Sequence, residues 1–206
     1  MIYLWQMHPY LLILYSLTWI VIIYAVNFWI AGKSIKINPS KALLYISTMA
    51  ALGVLGEVVF DTVYNFTLGH PLWQYHIFPI HHAYTSVYSI FLWGTVGLYM
   101  YLLHGTLKKR HTDSLYILAT IFCIEAIVFE ALVNLSYLAI FKDFIFYYLP
   151  GDLWHITSVQ TLPLYLFAGF ITIQTFEYAK SRQKAAIIGS TALVVCLVGV
   201  GILLNR

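Results

Sequence analysis

Six apolar runs, each of roughly 20 residues, follow one another along this chain with short polar connections between them. A helix needs about 20 such residues to cross a bilayer core of ~30 Å. Inside hydrocarbon every backbone N–H and C=O must find its partner within the protein, so runs of this length dictate helices. The expected fold class is all-α: a polytopic membrane protein, a six-transmembrane-helix bundle forming a single domain over residues 1–206. The spans read at about 10–30, 41–68, 81–104, 113–141, 155–178 and 185–204.

Charge content supports the same class. Only 9% of the 206 residues are charged and 61% are hydrophobic, against about 25% charged in a soluble domain. The net charge of +3 is modest, and the basic residues sit between spans, so they report topology and no nucleic-acid partner. Lys33, Lys36 and Lys41 lie in the first connection, Lys108, Lys109 and Arg110 in the third, and Lys180, Arg182 and Lys184 in the fifth. The second and fourth connections are aromatic and hold one basic residue, Lys142. The positive-inside bias then puts the basic connections in the cytoplasm, with both termini and both aromatic loops outside. MIYLWQMHP has no basic residue ahead of its apolar run, which argues against a removable signal peptide. Cys123 and Cys196 lie alone in apolar runs and read as packing residues. Asn38-Pro39 and Thr112-Asp113 read as helix starts, and Gly53, Gly56, Gly94 and Gly97 as points of close helix approach.

The polar residues inside the spans carry the functional question. Glu57, Asp61 and Asn65 follow at steps of four and share one helix face. The fourth span carries Glu125, Glu130 and Asn134. A charged residue at mid-bilayer costs about 2.5–3.5 kcal/mol on insertion scales, and no Lys or Arg stands beside these acids within the spans. They must be protonated, hydrated, hydrogen-bonded or bound to a cation.

An internal repeat is expected. VVFDTVYNFT (58–67) aligns with IVFEALVNLS (127–136), pairing Asp61 with Glu130 and Asn65 with Asn134. HHAYTSV (81–87) aligns with WHITSV (154–159), pairing His82 with His155 and Thr85 with Thr157. Spans 2–3 and 4–5 then form parallel copies of one hairpin, in repeat halves of about 41–104 and 112–180, and a site is expected at their interface. Glu57 and Glu125 have no acidic counterpart in this alignment, and Glu125 points roughly 140° away from Glu130.

The expected catalytic set is Asp61, Glu130, Glu57 and Glu125 with His81, His82 and His155. The expected substrate-binding set is Asn65, Asn134, Trp73, Trp154, Thr85 and Thr157. Each residue also has a plainer role: the asparagines as interhelical hydrogen-bonders, the tryptophans as interfacial anchors, the threonines as backbone partners.

Carboxylic acid beside imidazole is equipped for acid–base chemistry. A bilayer-embedded site with no basic clamp for phosphate points to a lipid or isoprenoid substrate that reaches it from the outer leaflet and undergoes isomerisation, cyclisation or hydrolysis. A transporter, proton-coupled or for small molecules, is the main alternative, and a structural subunit of a membrane complex the next. The cofactor is left unknown: carboxylate and histidine also suit a divalent metal, although H-x4-HH (76–82) is no established ligand motif. The nucleophile elbow GxSxG, the P-loop and HExxH are absent from the sequence. Homo-oligomerisation is left open.

Overall fold

The computed structural model describes residues 9–34, 36–110 and 114–205. The N-terminal MIYLWQMH segment and Thr112-Asp113 lie outside the described residues. Of these described residues 75% are helical. Six helices, α1 Pro9–Ala31, α2 Pro39–Leu68, α3 Ser89–Arg110, α4 Leu115–Phe141, α5 Leu162–Tyr178 and α6 Arg182–Leu204, are long and apolar enough to cross a membrane, α5 with the 3-10 turn Val159–Thr161 that leads into it.

Local chemistry sets most of the ends. Asn38 caps α2 by accepting from the Lys41 N–H at 3.3 Å, with Pro39 in the first turn. Gly69 stops α2 at a left-handed φ of 80°, donating its N–H to Asn65 O. Lys142 stops α4 in the same way at φ 59°, and Ser181 caps α6.

Two spans start later than the sequence suggests. The third helix begins at Ser89 and not near His81. The fifth begins at Leu162, after the 3-10 turn, and not near His155. The reason is backbone: His81, His82, Ala83, Trp154 and His155 all have positive φ, which a right-handed helix does not tolerate. Each loop folds instead into short strands. β1 (Trp73–Tyr75) pairs antiparallel with β4 (Phe146–Tyr148), Trp73 opposite Tyr148 and Tyr75 opposite Phe146. β2 (Pro79–Ile80) pairs with β3 (Thr85–Ser86). The β1–β4 ribbon ties the two aromatic loops together at one end of the bundle. Their strands had no place in an all-helical reading, because each is too short to show a period of its own.

α2 packs against α3, α5 and α6, α4 against α5, and α1 against α3. The approach of α2 and α3 rests on glycine. A Cβ at Gly97 would meet Tyr45 O at 2.5 Å, and one at Gly53 would run into the Trp93 ring. Gly53 thus seats Trp93 flat against α2, one helical turn before Glu57.

Candidate functional site

The ribbon closes a cavity of about 50 Å³ whose walls include Glu57, Trp73, Tyr75, Trp93, Glu130 and Tyr148. At ~10–15 Å³ per water, it has room for about three to five. Leu164, at the start of α5, forms part of the wall. Among the described residues no Lys, Arg or His lines it.

Glu57 is 4% exposed. Trp93 Nε1 donates to its Oε1 at 2.8 Å and Thr85 Oγ1 to its Oε2 at 2.5 Å. The Tyr75 hydroxyl also donates to Oε1. Three donors from α3, β3 and β1 therefore converge on one carboxyl. Glu130 is nearly as buried but far less engaged. Its hydroxyl neighbours are Thr157 and Tyr148, while its Oε1 and the Thr157 Oγ1 are buried without a hydrogen-bond partner. Burial and the facing carboxyls push the Tyr75 and Tyr148 phenols well above their usual range. Both remain neutral hydrogen-bond donors in ordinary buffers.

Asp61 and Asn134 stand one turn beyond Glu57 and Glu130 and serve the loops. Asp61 Oδ1 accepts the Leu72 N–H at 2.5 Å, and Asn134 Oδ1 accepts the Ile145 N–H at 3.0 Å, with 11 residues between partners in both cases. The Asn134 amide also donates to Phe146 O at 2.8 Å and Ile156 O at 2.9 Å. Both side chains are fully buried. Each holds the chain at the point where its ribbon strand begins, and neither lines the cavity.

Other expected residues sit elsewhere. Asn65 donates to the Tyr84 hydroxyl at 2.8 Å and so fastens the first loop. Trp73 does line the cavity, with its indole N–H on Tyr84 O. Trp154 is 81% exposed. Glu125 turns to Tyr99 on α3, in keeping with the large angle expected between it and Glu130.

Among the described residues, His81, His82 and His155 do not line the cavity that holds Glu57 and Glu130. His81 and His82 lie against each other and Tyr84. His155 donates from Nδ1 to Tyr148 O at 2.6 Å and stacks on Tyr147, ring centres 4.4 Å apart. All three belong to turns of positive φ outside the helices. Among the described residues no group of three His, Cys, Asp or Glu is placed to hold a metal ion.

Tyr75, Tyr148 and Trp93 were not anticipated. Aromatic residues are so common in these loops that their types alone give no signal. The one clue was that a tyrosine follows both Glu57 and Glu130 at the same interval of 18 residues.

The fold and cavity together define an all-helical protein suited to crossing a membrane six times, with two glutamates facing an aromatic chamber. The chain matches no protein-family model, no curated protein and no solved structure.

Proposed function

We propose that the chain is an integral membrane enzyme that moves protons on a lipid or isoprenoid substrate, with Glu57 and Glu130 as the catalytic pair. The observation that carries this reading is the chamber itself. It joins two buried carboxyls to walls of Trp, Tyr and Phe and offers no cation to pair with them. Aromatic faces stabilise positive charge by cation–π attraction, most strongly where water is excluded. Such a chamber suits a carbocation flanked by a proton donor and a proton acceptor.

The chemistry balances within the site. Glu130, with an oxygen free of hydrogen bonds, gives its carboxyl proton to one carbon of a trisubstituted double bond. The O–H bond breaks, the π pair forms the new C–H bond, and a tertiary cation remains on the neighbouring carbon. Glu57, held by three donors, takes a proton from an adjacent carbon, and that C–H pair becomes the new double bond. Isomerisation results. If a second double bond of the same chain attacks the cation first, a ring closes before the proton leaves. One proton is given and one taken, and transfer of the proton from Glu57 back to Glu130 restores the pair.

A parallel repeat of the two helix hairpins, α2–α3 and α4–α5, accounts for the pairing. In the correspondence we propose, Glu57 matches Glu130, Asp61 matches Asn134, Tyr75 matches Tyr148 and Thr85 matches Thr157. This differs by one helical turn from the alignment of Asp61 with Glu130. It is supported by the matching hydrogen bonds of Asp61 and Asn134 and by the acid–tyrosine–threonine sets around both glutamates. The asymmetry is then Asp against Asn in the anchors, and a different number of donors on the two glutamates. The basic connections face the cytoplasm in this reading and the aromatic ribbon faces outward, as the charge bias supports.

Conversion of a supplied polyprene by purified protein in lipid nanodiscs tests the proposal. Glu57→Gln and Glu130→Gln should each remove activity from a folded protein. Full activity in both variants, or proton-dependent flux of a solute in proteoliposomes without any conversion, would overturn it.

A further inference from the structure

A second cavity, of about 800 Å³, opens on the outer face of the bundle between α2, α5 and α6. Among the described residues its lining holds no charged side chain and two hydroxyls, those of Thr48 and Thr175. On α2 it extends from Thr48 to Val63, a rise of about 22 Å at 1.5 Å per residue. The walls are parts of three helices long and apolar enough to cross a membrane, so in a bilayer this groove would open to hydrocarbon.

The groove abuts the acid chamber. Leu164 lines both. Phe60 lines the groove and stacks on Trp73 of the chamber wall, ring centres 5.8 Å apart and planes 10° from parallel. Gly56 lines the groove immediately before Glu57, and a Cβ placed there would touch Leu164 Cδ1 at 3.6 Å. One leucine side chain and one aromatic pair thus separate an open apolar trough from two buried carboxyls.

We infer that this groove is the binding site for the hydrocarbon chain of a linear polyisoprenoid, which passes Leu164 to bring a double bond to the chamber. The inference rests on the acid–base reading above. A chain fits because the trough is long, uncharged and open to lipid along its side. A headgroup does not, because neither the groove nor the chamber offers a cation to hold phosphate. The chamber alone is too small for a chain segment, so the Leu164 side chain must swing aside. A polyisoprenoid is favoured over a saturated acyl chain because it brings the electron-rich double bond that a carboxylic acid in an aromatic chamber can protonate.

Photolabelling tests the groove apart from the chemistry. Full-length protein in nanodiscs is irradiated with a linear polyprene carrying a diazirine, and in parallel with a phosphatidylcholine carrying a diazirine in its acyl chain. The polyprene should label Leu52, Val59 and Leu164 in preference to Leu14 on the lipid face of α1. Val59→Trp, a change at an exposed position, and Gly56→Trp should each abolish the Leu164 label. Glu130→Gln should keep it. Polyprene label spread evenly over the lipid-facing surface, equal labelling of the groove by phosphatidylcholine, or a Leu164 label unmoved by both tryptophans would overturn the inference. A labelled groove in an active Glu130→Gln protein supports the groove and removes the acid role. An unlabelled groove with inactive Glu57→Gln and Glu130→Gln proteins removes the groove and leaves the acid role standing.

Discussion

Tyr75 follows Glu57 by 18 residues and donates its phenol to that carboxyl; Tyr148 follows Glu130 by the same interval and faces that carboxyl in turn. Neither tyrosine is on a membrane-spanning helix. Each reaches its acid because the β1–β4 ribbon folds back over the bundle, so the ribbon is the lid of the chamber and also supplies part of its polar lining. Several consequences can be measured.

The two glutamates should be unequal in what their loss does to stability. Glu57→Gln leaves the Tyr75 and Trp93 donors facing an amide that still accepts through one oxygen, whereas Glu57→Ala strands three buried donors at about 1–3 kcal/mol each. Glu130→Ala strands fewer. Thermal unfolding in detergent should therefore rank Glu57→Ala well below Glu130→Ala. Both Gln variants should lose about 10²- to 10⁴-fold in polyprene conversion, the usual worth of a general acid or base.

Asp61 and Asn134 should behave as anchors. Asp61→Asn keeps an oxygen for the Leu72 N–H, so it should stay folded and keep most of its activity. Asn134→Ala removes three hydrogen bonds from a fully buried position and should cost about 3 kcal/mol or more. Hydrogen exchange at Ile145 and Leu72 reads the anchors directly. Loss of activity in Asp61→Asn with protection at Leu72 intact would return Asp61 to the reacting centre.

The buried phenols predict an alkaline limit. Above about pH 10 the unfolded chain releases the phenolic protons of Tyr75 and Tyr148, while the folded chain retains them. The unfolded state then binds fewer protons, so stability falls as pH rises from that point toward the folded-state values. Melting temperature against pH should bend downward there, and Tyr75→Phe and Tyr148→Phe should each soften the bend. An unchanged curve in both variants would refute the assignment.

Sidedness is open to a direct test. Cys123 and Cys196 are buried, so the background reactivity is low. Gln74→Cys on the exposed edge of the ribbon should react with an impermeant thiol reagent in intact cells, and Lys36→Cys should react only after permeabilisation. The reverse pattern would invert the orientation.

How much of this was legible in the residues varies along the chain. The helices were, since an apolar run such as Tyr10–Ala31 has no other stable form in a bilayer. The four membrane acids were marked by their cost. The sequence alignment of Asp61 with Glu130 differs by one helical turn from the correspondence we propose between the halves. A shift of four residues returns a helix to nearly the same face, so Asp61 against Glu130 looks as good in an apolar alignment as Glu57 against Glu130. The hydrogen bonds of Asp61 and Asn134, which reach into the loops, favour the register we propose.

The sequence by itself determined that this chain forms six apolar helices with buried carboxyls, because hydrocarbon leaves the backbone no alternative and makes every ionisable group conspicuous. Tertiary structure decided which acids share a cavity, that their partners are tyrosine, threonine and tryptophan in place of histidine, and that an apolar groove between α2, α5 and α6 abuts that cavity. Those outcomes turn on the left-handed turns at His81–Ala83 and Trp154–His155 and on the pairing of two three-residue strands distant in sequence. Such long-range pairing is encoded by the fit of whole surfaces, and no short stretch of residues displays it.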